Sequence, residues 1–152
     1  MTQPRAIAIE LDALGDTRPL WSAWLASAHA VLDVEPGTLS TDRAAAAAAL
    51  DTAGAGNWRV LLERFAEDHA PAYLRRDAAT SAALHSLASS GARLGVFTDA
   101  PEPLARVALS QLGATRRVAT LETGPGALER LLTALGAGAE VVHTRDDLLR
   151  RT

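Results

Sequence analysis

The chain of 152 residues contains no cysteine. This excludes disulfides, cysteine-based zinc sites, redox pairs and thiol nucleophiles. It contains no lysine either, so all 15 of its positive charges are arginines. A P-loop lysine and Schiff-base chemistry are thereby ruled out. Long hydrophobic runs are also missing. The first apolar stretch, residues 6–9, is interrupted by Glu10 and Asp12, which makes it too short and too acidic for a secretory signal. No segment approaches the length of a membrane span. Excess charge of either sign is lacking too: the net charge is −3 and the isoelectric point about 5.8. Nothing in that balance draws the chain to nucleic acid or to anionic lipid. The expected setting is the cytoplasm, with neither nucleic acid nor membrane as a partner.

What is present suffices for one core. Hydrophobic residues make up 48% of the chain, although 33 of them are alanine. The length points to a single domain, with room for a small attached lobe. There is no internal repeat. The six alanines at 44–49 are either helix filler or a close-packed helix interface.

Apolar periodicity alternates between strand and helix. Residues 6–12 (AIAIELD) read as a buried strand. Pro19 fits the first turn of a helix whose stripe is Leu20, Trp21, Trp24, Leu25, Ala28, Val31 and Leu32, ended by residues 33–37. A second helix is expected over 41–52, broken by Gly54 and Gly56. Asn57 suits the N-cap of a third, with Trp58, Leu61, Leu62, Phe65 and His69 at helical spacing and Pro71 closing it. Asp77 or Thr80 can cap the next helix, which contains Leu84 and Leu87 and ends at Gly91. Residues 93–98 (RLGVFT) form a strand. Asp99, Pro101 and Glu102 then read as the capped start of a helix that buries Leu104, Val107, Ala108 and Leu112. A short strand at 117–121, a helix at 125–135, a strand at 139–143 and a terminal helix at 145–151 complete the chain.

This order predicts an α/β fold with a short parallel sheet covered by helices. The helical stretch between the first two strands is too long for one crossover and is expected to form a small lobe over one end of the sheet. Sites in open α/β sheets lie at the carboxyl ends of the strands. The first end carries Glu10 and Asp12, two carboxylates close enough to favour a cation or to raise the pKa of one of them. The second carries Thr98, whose hydroxyl stands beside helix N–H groups and either cradles an anion or caps the helix. The third carries Glu122, where an anion site would want a cation, and reads as a helix-entry turn. The fourth carries His143, Asp146 and Asp147, with the aspartates serving a cation or capping the last helix. His29, His69 and His85 fall on separate predicted helices without ligand spacing and are assigned no metal.

These segments together resemble the haloacid dehalogenase superfamily of phosphatases and related hydrolases. Residues 6–21 (AIAIELDALGDTRPLW) look like its first motif, with Glu10 in the place of the nucleophilic aspartate and Asp12 matching the acid/base aspartate. In residues 94–113 Thr98 matches the phosphate-binding hydroxyl. The family's phosphate-holding lysine would fall near Glu122. In residues 141–148 (VVHTRDDL) His143 replaces the first acid of the fourth motif, while Asp146 and Asp147 remain. The resemblance implies a three-layer core formed by residues 1–17 and 77–152, with a helical cap at 18–76. It implies Glu10, Asp12 and Thr98 as the catalytic positions, and Glu10, Asp12, Asp146 and Asp147 as ligands for Mg²⁺.

The substitutions weigh against that chemistry. Glu10 moves the attacking oxygen by about 1 Å, a misplacement that can cost about 10²-fold. Loss of the lysine removes a donor worth about 10²–10³. His143 suits Mg²⁺ poorly, because that ion prefers oxygen ligands. The expected function is a phosphatase-like protein that is inactive or very weak, binds Mg²⁺ loosely if at all, and acts as a small-ligand-binding, regulatory or assembly module. Its ligand would be a small phosphorylated molecule between cap and core. A homodimer could use apolar surface on the Trp21/Trp24 or Trp58/Phe65 helices. The alternative is a weak Mg²⁺-dependent phosphomonoester hydrolase with Asp12 as its acid/base.

Overall fold

A computed structural model describes residues 4–32 and 42–152 of the chain. Four strands, β1 (Ala6–Glu10), β2 (Arg93–Thr98), β3 (Thr120–Thr123) and β4 (Glu140–Val142), form one parallel sheet in the order β3-β2-β1-β4. The register pairs Glu10 with Phe97 and Thr98 with Thr123, so the carboxyl ends of β1, β2 and β3 stand level. From β1 the chain fills the positions on one side, then returns to place β4 on the other. The reversal point, where ligands bind in open α/β sheets, therefore lies between the carboxyl ends of β1 and β4.

Strand alternation assigns the two faces. Ile7, Ile9, Leu94 and Val96 face one layer of helices, made by α5 (Ala78–Ser89), α6 (Glu102–Gln111) and α8 (Arg145–Arg150). Ala8 and Phe97 face α7 (Ala127–Leu135) on the other side, with Leu131 and Leu135 above them. The sheet thus sits between two helical layers in a Rossmann-like arrangement. Leu131 rests on the bare backbone of Gly95: a β-carbon there would stand 2.5 Å from its Cδ1.

Between β1 and α5 lie a single turn, α1 (Leu11–Leu14), and three longer helices, α2 (Arg18–Val31), α3 (Arg43–Thr52) and α4 (Trp58–Tyr73). Helix α4 packs along α6 and against α2. Trp21, Trp24, Trp58 and Leu62 join the helix-covered side of the sheet in one continuous apolar core. These indole rings are therefore interior rather than docking surface. Asp51 at the end of α3 accepts from Trp58 Nε1 at 2.9 Å and from Arg59 Nη1 at 2.7 Å, tying α3 to α4. Those bonds, Arg59's first, hold its carboxyl down at about 2. Among the described residues no helix is long and apolar enough to cross a membrane.

Element types follow the periodicity closely, and the differences are local. Strand β1 stops at Glu10, where its pairing with Phe97 ends, and the chain turns helical at Leu11. Asp12 is therefore on a helical turn, not on the strand face of Glu10. Helix α3 starts at Arg43, with Asp42 as its cap accepting from the N–H groups of Ala44 and Ala45. Pro71 lies inside α4, which continues to Tyr73. Near a helix end a proline forfeits one hydrogen bond without breaking the rest. Val31 belongs to the expected apolar stripe of α2 but is exposed. Helix α6 is capped by Pro101, not Asp99. Residues 115–117 form a 3₁₀ turn, so β3 begins at Thr120. The expected helix-ending segment 33–37 lies outside the described residues.

Two predictions follow from this framework. Gly95→Ala should lose about 1–3 kcal/mol in chemical denaturation, because buried Leu131 has no room to yield. Adding Leu131→Ala should remove that penalty, so the double variant costs less than the sum of the two single losses. The second concerns Glu140. It accepts from Arg5 Nη2 at 2.9 Å and from Arg151 Nη1 at 2.6 Å, joining both ends of the described chain. The Arg5 hydrogen bond, followed by that of Arg151, lowers its carboxyl from 4.5 to about 2. A depressed carboxyl pKa stabilises the fold above the unfolded value, and the gain is lost as pH falls through the folded one. Acid titration should show stability declining between about pH 4.5 and pH 2, with a shallower decline in Glu140→Gln.

Candidate functional site

A cleft of about 900 Å³ opens at the carboxyl edge of the sheet. Glu10, Asp12, Phe97, Thr98 and His143 line it from the strand ends, Arg43 and Ala44 from α3, and residues 124–129 from the start of α7. The sheet therefore brings together four of the positions singled out in the sequence: Glu10, Asp12, Thr98 and His143. Asp146 and Asp147 do not line it. Asp147 lies on α8 and pairs with Arg151 at 3.3 Å, while its backbone N–H donates to Thr144 Oγ1, the actual cap of that helix. Glu122 is also outside the cleft and pairs with Arg130 at 3.1 Å. Arg130 further donates to the carbonyls of Thr123 and Pro125, so its guanidinium is committed to the turn before α7.

The centre of the site is Arg43, whose side chain is only 7% exposed. Its Nε and Nη2 lie 2.9 and 2.8 Å from Asp99 Oδ1. Nη2 also donates to Asp12 Oδ2 at 3.2 Å and reaches Thr98 Oγ1 at 3.5 Å. Nη1 donates to Thr17 Oγ1, and that hydroxyl in turn donates to Asp12 Oδ1 at 2.5 Å. The backbone N–H of Thr17 donates to the same oxygen at 3.1 Å. A buried guanidinium is tolerated only with such partners. Here all three of its nitrogens are engaged, by side chains from two separate segments, 12–17 and 98–99.

Asp99 therefore turns toward Arg43 instead of capping α6. Thr98 accepts from the N–H of Ala100 at 3.1 Å, a local turn ahead of α6 and not a cap of that helix. Beside this cluster, His143 Nδ1 lies 2.9 Å from Glu10 Oε2. A carboxylate only accepts, so Nδ1 donates the proton of that bond, and Nε2 takes no part in it. The edge of the imidazole meets Phe97 with ring centroids 5.7 Å apart. The two other arginines of the cleft are paired at its margin, Arg18 with Asp16 at 2.8 Å and Arg145 with Asp77 at 2.8 Å. Asp16 is held below the usual carboxylate range, chiefly by Arg18. Asp77 is lowered to about 2, first by its bond from the Thr80 hydroxyl and next by Arg145.

Sequence reasoning passed over Arg43 and Thr17. A signal for Arg43 does exist. A cation in the first turn of a helix opposes the macrodipole, and Arg43 stands alone there before six alanines. Such a placement marks a side chain needed elsewhere. Among the described residues no three His, Asp or Glu side chains gather into a group able to hold a metal ion. No family model and no curated protein matches the chain.

Arg43→Met retains the stem but leaves Asp12 and Asp99 without their cation. The variant should lose about 1–3 kcal/mol in denaturant unfolding, the cost of an unpaired polar group in a partly buried site. Arg43→Lys should recover only part of this, since a point charge cannot reach four side chains as a planar fork does.

Proposed function

We propose that this chain is a haloacid dehalogenase-like protein that has given up phosphoryl transfer and acts as a small-ligand-binding module. The observation that carries this reading is the Arg43 guanidinium, buried between Asp12, Thr98 and Asp99 at the ends of β1 and β2. The parallel order β3-β2-β1-β4 and the helices inserted between β1 and β2 accord with the resemblance seen in the sequence.

A phosphatase of that type needs a free carboxylate to attack, a second acid to move protons, and cations on the phosphoryl oxygens. Here each acid is already occupied. Glu10 is joined to His143, and Asp12 is held by Thr17 and Arg43. Magnesium would neutralise phosphoryl charge, but these residues suit it poorly. Mg²⁺ demands unencumbered oxygen ligands in near-octahedral array, whereas a fixed guanidinium stands among them and would repel it. Asp147 is turned to Arg151, and Glu122, at the position of the family's lysine, is turned to Arg130 and brings no cation to the cleft. The cleft still has the size of a small-molecule site. Arg145 and the amino end of α7 are the groups of the cleft that would meet a small phosphorylated ligand.

The test is phosphate release from a panel of phosphomonoesters with Mg²⁺, comparing the natural protein with Asp12→Asn, Glu10→Asp and Arg43→Ala. The natural protein should show no turnover above the Asp12→Asn background. Glu10→Asp alone should not restore it, because Arg43 and His143 remain in place. Mg²⁺-dependent turnover that Asp12→Asn abolishes would overturn the reading in favour of a weak phosphatase with Asp12 as acid/base.

A further inference from the structure

Most of the described arginines lie within ion-pair distance of a carboxylate. Six others, Arg64, Arg75, Arg76, Arg93, Arg116 and Arg117, have no such partner among the described residues, and two of these, Arg76 and Arg116, share one hollow. With Ser110, Gly113 and Thr115 they line a hollow of about 360 Å³. No acidic residue lines it, and it shares no lining residue with the cleft at the strand ends.

Arg76 is positioned in advance of any ligand. Its Nε donates to the carbonyl of Gln111 at 3.3 Å, and Gln111 Nε2 donates back to the carbonyl of Leu74 at 3.3 Å. These bonds tie the segment before α5 to the end of α6. The guanidinium lies against Gly113, where a β-carbon would come within 2.9 Å of its Cζ and Nε. Gly113 also has φ +71°, a conformation that favours glycine. Both terminal nitrogens of Arg76 remain uncommitted, as does the whole guanidinium of Arg116. The hydroxyls of Ser110 and Thr115 make no hydrogen bond among the described residues. An anion entering the hollow would meet two cations with no carboxylate beside them. Their planar forks and the adjacent hydroxyls match the oxygens of a tetrahedral oxyanion.

We propose that this hollow is a phosphate-binding site, separate from the cleft and independent of the function assigned to it. The phosphate can be the free ion or the end group of a monoester, since the recognising chemistry is the same. The experiment is an amide chemical-shift titration of the ¹⁵N-labelled full chain with inorganic phosphate and, separately, adenosine monophosphate, both at constant ionic strength in chloride. Saturating shifts of Gly113, Thr115 and Arg116 with a dissociation constant at or below about 1 mM are expected. Arg116→Gln should weaken binding by about tenfold. The Arg116 side chain makes no hydrogen bond or ion pair among the described residues, so amide positions away from the hollow should be unchanged in that variant. Arg76→Gln should act in the same direction. Tighter binding of the free ion or of the nucleotide identifies the source, and either supports the site. Shifts that fail to saturate, spread over the surface, or persist unchanged in Arg116→Gln overturn it.

Discussion

The carboxyl edge of this protein depends on one buried cation. The guanidinium of Arg43 has to find acceptors for all its nitrogens, because leaving any of them dry would cost more than the fold can spare. It finds them in Asp12, Thr17, Thr98 and Asp99. In doing so it fixes the direction of each of those side chains and attaches α3 to the sheet edge. The other end of α3 is attached through Asp51 to Trp58 and Arg59. A helix made mostly of alanine has little apolar bulk with which to anchor itself, and these two polar clamps do that work.

The same rule of local pairing runs along the whole edge. Glu10 is matched by His143, Glu122 by Arg130 and Asp147 by Arg151. A site built for acid–base or nucleophilic work keeps a charge unsatisfied, or desolvates it, so that its pKa suits the reaction. At this edge the acids have instead been paired one by one. What remains available is a cleft with polar walls, one imidazole nitrogen, and the start of α7. That inventory is the basis of the ligand-holding role proposed for the cleft.

The hollow beside Gly113 is the counterpart of this arrangement. There the basic groups have no acids, and the glycine gives the Arg76 guanidinium room to lie flat. In a chain of net negative charge, that hollow gathers two arginines and no carboxylate. The phosphate proposed for it would supply the missing negative charge.

The sequence alone determined the kinds of element, their order and the edge at which any site would lie. Strand and helix periods are set by residues a few positions apart, so Leu94, Val96 and Phe97 or Leu128, Leu131 and Leu135 are readable without coordinates. The gathering of Glu10, Asp12, Thr98 and His143 followed from the same logic, since parallel strands present their carboxyl ends together. Which side chain meets which was decided only by the tertiary structure. Glu10 and His143 are separated by 133 positions, and Arg43 and Asp12 by 31. Whether Asp99 caps its own helix or turns to a distant arginine is a competition between a local and a remote donor. The remote one prevails because Arg43 is buried and its demand for acceptors cannot be met by water.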